Sequence, residues 1–325
     1  MTKIIKYQYL SMLKDEIESF IKFKRSCNYI YNNEAKFLKA FDNFIIKNGY
    51  DYGKLDKKLV DAWTAIKDTE CINSRNSRVD PVRSLAEYIN THGGEAYVCQ
   101  KFKKQPRPVL YIPSEEEIAA FLHFVDLNAM KYIKMAHAFM YSVLYRLYYT
   151  TGLREIEGAS LKWDDVNWDI GKIYVENGKG GKPRYVYVSD DFLILLERYR
   201  KKMYKIGLMT PFIFPNRTLD NYISDILVRI HFSTLRKKFY NDKTHHKDIN
   251  IHRFRHCYVV HKLKEFIENG EDIDNIIMYL CRQLGHTSVN ETYKYIHSVE
   301  HMLPSTRKFI THLSGELYNH DIREF

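Results

Sequence analysis

Three prolines set among basic residues divide this chain before any other feature does. Over residues 100–113 the sequence interleaves Lys101, Lys103, Lys104 and Arg107 with Pro106, Pro108 and Pro113. Proline resists helix and holds the backbone extended, so no regular element runs through this stretch. A chain of 325 residues is long enough for two domains with their own cores. The break assigns them to residues 1–99 and 114–301, with 100–113 as linker and 302–325 as a tail. The linker's charge reads either as plain solvation or as a stiff basic strap around a polyanion.

Ahead of the break, apolar residues recur at helical spacing. Leu10, Leu13, Ile17 and Ile21 form one face of a helix expected over 4–25, opposite Lys14, Asp15, Glu16 and Glu18. Phe37, Leu38, Phe41, Phe44 and Ile45 mark a second over 34–47, stopped by Asn48-Gly49. A third is expected over 55–66 with Asp56 as cap, and a fourth starts near 76–81 and carries Val82, Leu85, Ala86 and Ile89 to Gly93-Gly94. Beyond the break, Ser114-Glu115-Glu116-Glu117 is a capping box, and residues 135–149 make an apolar, aromatic-rich helix that stops at Gly152 and belongs in a core. The period then changes to alternation, and 166–168, 172–176 and 184–188 read as three short strands of an antiparallel sheet. Helices resume over 190–206 and 219–240, where Arg229, Arg236, Lys237 and Lys238 read as a wet face. Two more run over 252–266 and from an Asp272 cap to Leu284. The fold class is mainly α with a small antiparallel β-sheet.

The formal net charge of +10 favours a polyanionic partner. Cys27, Cys71, Cys99, Cys257 and Cys281 are scattered, suggest neither a disulfide framework nor a zinc site, and fit a reducing cytoplasm. No run approaches the ~18 apolar residues of a membrane span, and residues 1–7 are too polar for a signal-peptide core, so neither membrane insertion nor export is expected.

Within this frame, groups suited to phosphate chemistry stand at bends. Gly285 can close its helix in a left-handed conformation, so that His286 leaves from a tight turn rather than a helical face. Ser288 or Asn290 can cap a following short helix that carries Tyr295 about two turns along. Arg154 follows Thr151-Gly152-Leu153, with Glu157 one turn on as its orienting partner. Lys179 lies at the tip of Gly178-Lys179-Gly180-Gly181, which lacks Walker spacing and implies no nucleotide hydrolysis. His252 and Arg255 share one helix face at i, i+3. Two arginines, a lysine, two histidines and a phenol are suited to hold a phosphodiester and attack it. No carboxylate cluster for Mg²⁺ accompanies them, and neither metal nor cofactor is expected. Tyr293 is the rival phenol, on a different helical face, and Lys182 and Arg184 are rival cations to Lys179.

This ordered set resembles the tyrosine recombinase (phage integrase) family throughout the second domain. Thr-Gly-Leu-Arg ending at Arg154 is similar to the family's first-arginine box, and the glycine-flanked Lys179 to its hairpin lysine. His252-Arg253-Phe254-Arg255-His256 is similar to its His-x-x-Arg box, and Leu-Gly-His286 followed nine residues later by Tyr295 to its nucleophile box. The helical first hundred residues with their basic linker look, more loosely, like its core-binding domain. The resemblance implies a C-shaped clamp on double-stranded DNA, with a core-binding bundle and an α+β catalytic domain. It implies Arg154, Lys179, His252, Arg255, His286 and Tyr295 as catalytic residues, a 3′-phosphotyrosine on Tyr295, and Lys179 as acid to a departing 5′-hydroxyl. Strand exchange would pass through a Holliday junction in a homotetramer on paired core sites, assembled from free monomers, without ATP or metal. No arm-binding module is expected ahead of the first helix. A type IB topoisomerase-like enzyme and a DNA-binding protein without chemistry remain as other readings. The tail's stripe of Phe309, Ile310, Leu313 and Leu317 either closes the home core or docks on a neighbouring subunit.

Overall fold

The computed structural model describes residues 4–50, 53–105, 111–131, 137–176, 178, 182–240, 249–293 and 295. The chain divides into two compact units, Met1–Pro108 and Val109–Phe325. The expected tail helix, its docking, and linker residues 106–110 lie outside the described residues.

The first unit holds α1 (Lys14–Ser26), α2 (Asn32–Lys47), α3 (Lys57–Thr64) and α4 (Ile72–Thr91). Their apolar faces meet in a core centred on Ile17, Phe20, Leu38, Phe41, Trp63 and Leu85. Asp56 caps α3 as its spacing predicts, its side chain accepting from the Leu59 N–H. Two boundaries differ from the sequence reading. α1 starts ten residues later than residue 4, because the Asp42 carboxylate of α2 accepts the backbone N–H groups of Leu10 and Ser11, at 3.1 and 2.8 Å, and holds that segment out of helix. Leu10, expected on the apolar face, is 63% exposed. α4 starts at Ile72 and runs through Pro81. Proline there removes a helical hydrogen bond. Buried Arg78 braces the same turn from the side, pairing with Glu70 at 2.6 Å and donating to the carbonyls of Trp63 and Ala65. The described start of the linker lies on this unit: Arg75 stacks on Phe102 at 3.8 Å, and Asn73 exchanges two hydrogen bonds with Gln105.

The second unit begins with Ile112 packed against its core and Tyr111 donating to Glu117. It continues with α5 (Glu115–Lys131), α6 (His137–Thr151), α7 (Glu155–Ala159), β1 (Val166–Asn167), β2 (Lys172–Val175) and β3 (Arg184–Tyr187). The three strands form an antiparallel sheet in the order β1-β2-β3, with Ile173 opposite both Val166 and Val186. After it come α8 (Asp190–Lys205), α9 (Asp225–Tyr240), α10 (Ile251–Glu268), α11 (Ile273–Leu284) and the one-turn α12 (Asn290–Tyr293). α6 is the central helix, packed against α5, α8 and α10, with Tyr145 and Tyr148 fully buried. α9 starts at Asp225 rather than 219. Leu219 takes φ +62°, outside the helical region, and Ile223 N–H donates to the Phe214 carbonyl at 2.8 Å, so these residues close a small β-bridged loop instead. Arg236, expected on a wet face, is buried. Among the described residues, no helix is long and apolar enough to cross a membrane.

Candidate active site

Two left-handed glycines end the helices that frame the site. Gly152 closes α6 at φ +66° and Gly285 closes α11 at φ +63°. A Cβ at Gly152 would lie 2.7 Å from Tyr258 and 2.8 Å from Leu284, so the bend requires glycine on packing grounds as well. Arg255 of α10 joins the two bends: one Nη donates to the Gly152 carbonyl at 2.7 Å and the other to the Leu284 carbonyl at 2.8 Å. Burial, then the charge of Arg154, lowers the Arg255 pKa to about 10, which leaves it cationic at neutral pH.

Arg154 caps the N-terminus of α7 and reaches the Gly285 carbonyl from its Nη2 at 3.4 Å. Glu157 holds it twice, by the Arg154 N–H at 2.9 Å and by Nη1 at 2.8 Å. The same carboxylate takes a bidentate pair from Arg184 of β3, at 3.0 and 2.8 Å. Burial pushes the Glu157 carboxyl up, but the hydrogen bonds and charge of Arg184, with those of Arg154, prevail and hold it at about 2.

Tyr295 follows α12, its N–H bonded to the Thr292 carbonyl at 3.0 Å. It therefore stands just past a single helical turn, not two turns along as its spacing predicts. Its ring is parallel to the His286 imidazole, with centroids 6.5 Å apart, and 5.3 Å from that of His256. His256 in turn makes an edge contact with His252 at 4.9 Å. Burial raises the Tyr295 pKa, while the Arg255 charge and hydrogen bond and the Arg154 charge pull it back. Burial, then the charge of Arg255, lowers that of His252, and burial, then His252, holds His256 at about 3. Both imidazoles are neutral near pH 7.

The structure thus brings together Arg154, His252, Arg255, His286 and Tyr295; Lys179 lies outside the described residues. Of the rivals, Arg184 is committed to Glu157 and to the Gln283 carbonyl, and the Tyr293 hydroxyl donates to Asp274 at 3.0 Å. Sequence reasoning gave no role to His256, although its i, i+4 spacing from His252 places both on one face. It also missed Gln283, whose side chain bonds the Tyr187 backbone twice and ties α11 to β3. Among the described residues, no group of three or more His, Cys, Asp or Glu side chains is placed to hold a metal ion.

Residues 114–302, more than half of the chain, match the phage integrase family. The chain belongs to that family. It is 24% identical over 303 residues to the tyrosine recombinase XerC of Oceanobacillus iheyensis, covering 89% of this chain and 93% of that one. To XerA of Pyrococcus horikoshii it is 31% identical over 216 residues, 66% of each chain. Its fold is similar to that of the Tn1549 transposon integrase in complex with transposon right end DNA, with a TM-score of 0.64, 14% identity, and coverage of 86% of this chain and 94% of that one. It is also similar to that of the XerH site-specific recombinase bound to a palindromic difH substrate, with a TM-score of 0.60, 15% identity, and coverage of 90% and 87%. This member of the phage integrase family is a tyrosine recombinase, a site-specific recombination enzyme with a mainly helical fold and one small sheet.

Proposed function

We propose that this recombinase cuts and rejoins double-stranded DNA at paired core sites through a covalent 3′-phosphotyrosine on Tyr295. The observation that carries the reading is the Tyr295 ring set beside His256 and His286, with the Arg255 and Arg154 charges close by. The guanidinium groups of Arg154 and Arg255 donate remaining protons to the nonbridging oxygens of the scissile phosphate, and His286 adds a third donor. The Tyr295 oxygen attacks phosphorus and gives up its proton, with His252 as acceptor or orienting donor. The bond from phosphorus to the 5′-oxygen breaks, and that oxygen takes a proton from Lys179 and leaves as a hydroxyl. One phosphodiester replaces another, so bond energy is conserved without ATP, and the two guanidiniums meet the phosphate charge without a metal. Attack of each 5′-hydroxyl on a partner strand's linkage carries exchange through a Holliday junction in a homotetramer whose free form is a monomer. The first unit and the basic linker complete the grip on the duplex as a core-binding arm, and the enzyme acts in the cytoplasm.

The test is incubation with a nicked suicide substrate bearing the cognate core site, resolved on a denaturing gel. The wild type should trap a covalent adduct, in the presence of a chelator as well, and Tyr295→Phe should trap none while still binding DNA. An adduct mapped to Tyr293, or an absolute requirement for Mg²⁺ in the cutting step, would overturn the assignment.

A further inference from the structure

His286 is gripped from behind by a chain of two side chains that none of the site roles above uses. Its Nδ1 lies 2.7 Å from the Thr292 hydroxyl, and that hydroxyl lies 3.0 Å from the Cys281 sulfur. Thr292 is fully buried. Its single hydroxyl proton points one way only. Either the thiol donates to the hydroxyl and the hydroxyl to Nδ1, leaving the proton of neutral His286 on Nε2, or Nδ1–H donates to the hydroxyl and the hydroxyl to sulfur, leaving Nε2 bare. Two observations choose the first. Imidazole nitrogen is a far better acceptor than sulfur. At the other end of the ring, Nε2 faces the Glu291 carboxylate at 4.0 Å, where a lone pair is repelled and an N–H is attracted.

We propose that Thr292 is a positioning residue that fixes His286 in the Nε2–H tautomer, with the Cys281 thiol lying on the far side of its hydroxyl. The inference rests on the reading of His286 as a donor to the scissile phosphate. In the Nε2–H form the imidazole meets an incoming phosphate oxygen with a proton; in the other form it meets it with a lone pair. The His286 N–H of the backbone, bonded to the Cys281 carbonyl at 3.0 Å, anchors the same unit from α11. Fixing His286 thus needs nothing from the DNA: the donor is oriented before a phosphate arrives.

Among the described residues, the groups around this ring include Glu291 on α12, Tyr295 beyond it, His256 on α10, Cys281 on α11, and Arg154, which reaches the neighbouring Gly285 carbonyl. The direct measurement is the ¹⁵N spectrum of the full chain labelled at histidine, with the His286 signals identified by their loss in His286→Gln. The wild type at about pH 8 should show an unprotonated Nδ1 and a protonated Nε2, the neutral-imidazole signature; the opposite pattern overturns the proposal without recourse to any variant. In single-turnover adduct formation, Thr292→Val should be slower by about tenfold at about pH 8. Thr292→Ser, which keeps the hydroxyl, should stay within about twofold of the wild type, and Cys281→Ala should lose about as little. No Thr292→Val deficit, or a Thr292→Ser deficit as large as that of Thr292→Val, overturns the proposal. Absence of any wild-type adduct would instead sink the recombinase mechanism itself.

Discussion

Arg255 and Tyr295 are neighbours in one site and are held in opposite ways. The cradle around Arg255 is cross-braced between distant segments: Arg255 bonds the carbonyls of Gly152 and Leu284, and Glu157 clamps Arg154 and Arg184. Tyr295 hangs from one turn-type backbone bond behind a four-residue helix, with ring contacts to two histidines. The contrast suits the proposed chemistry. Groups that stabilise charge on phosphorus must not reorganise as it develops, whereas a nucleophile has to advance and withdraw. Damage to the cradle should therefore cost stability along with activity, and damage at the nucleophile should cost activity alone.

The largest effect is expected at Glu157. Glu157→Ala leaves two guanidiniums without their shared carboxylate, Arg184 with only 10% of its side chain exposed and Arg154 with 22%. Losing one partner of such a network costs about 3–5 kcal/mol, measurable by urea or thermal unfolding. A loss under about 1 kcal/mol would mean the cradle is not braced by this residue.

A smaller effect should be seen in acid. The folded-state pKa of Glu157 is depressed, about 2 against 4.5, so its contribution is fully present above pH 4.5 and fades as pH falls toward 2. The amount is on the order of 3 kcal/mol. An unfolding series over that window should show a slope that Glu157→Gln removes. If both proteins lose stability in parallel, other carboxylates govern acid unfolding.

Tyr295→Phe should alter stability by less than about 1 kcal/mol, since it removes only a partly buried hydroxyl. The adduct should nonetheless vanish. A large drop in melting temperature would show that Tyr295 is part of the brace and not hung from it.

Much of this arrangement was legible in local sequence because the causes are local. Asp56, Asp272 and Ser114 cap helices within three residues of themselves, and Gly152 and Gly285 end them through φ values that glycine adopts freely. The boxes around Arg154, Arg255, His286 and Tyr295 were legible through their resemblance to a family pattern of short local motifs. What escaped depends on distant partners. Asp42 holds Leu10 and Ser11 out of α1 from 32 and 31 residues away, and Arg184 finds Glu157 across 27. His256 escaped for another reason: a histidine next to Arg255 has many uses, and only the packed structure sets its ring beside Tyr295.

The smallest effect is the sharpest on the identity of the nucleophile. Tyr293 and Tyr295 are two residues apart, yet the Tyr293 hydroxyl donates to Asp274 near the start of α11, while Tyr295 lies among the histidines. Burial, then the Asp274 hydrogen bond, pushes the Tyr293 phenol up to about 12. A raised folded-state pKa makes its contribution complete below pH 10 and lost as pH climbs toward 12, so the bond to Asp274 is intact near neutrality. Tyr293→Phe removes one partly exposed hydrogen bond, worth about 0.5 kcal/mol or less. It should melt within error of the wild type and still trap the adduct on the suicide substrate. Should it instead lose the adduct while Tyr295→Phe retains it, the two phenols have been assigned in the wrong order, and the loosely hung segment would have to turn α12 over to present Tyr293 to the phosphate.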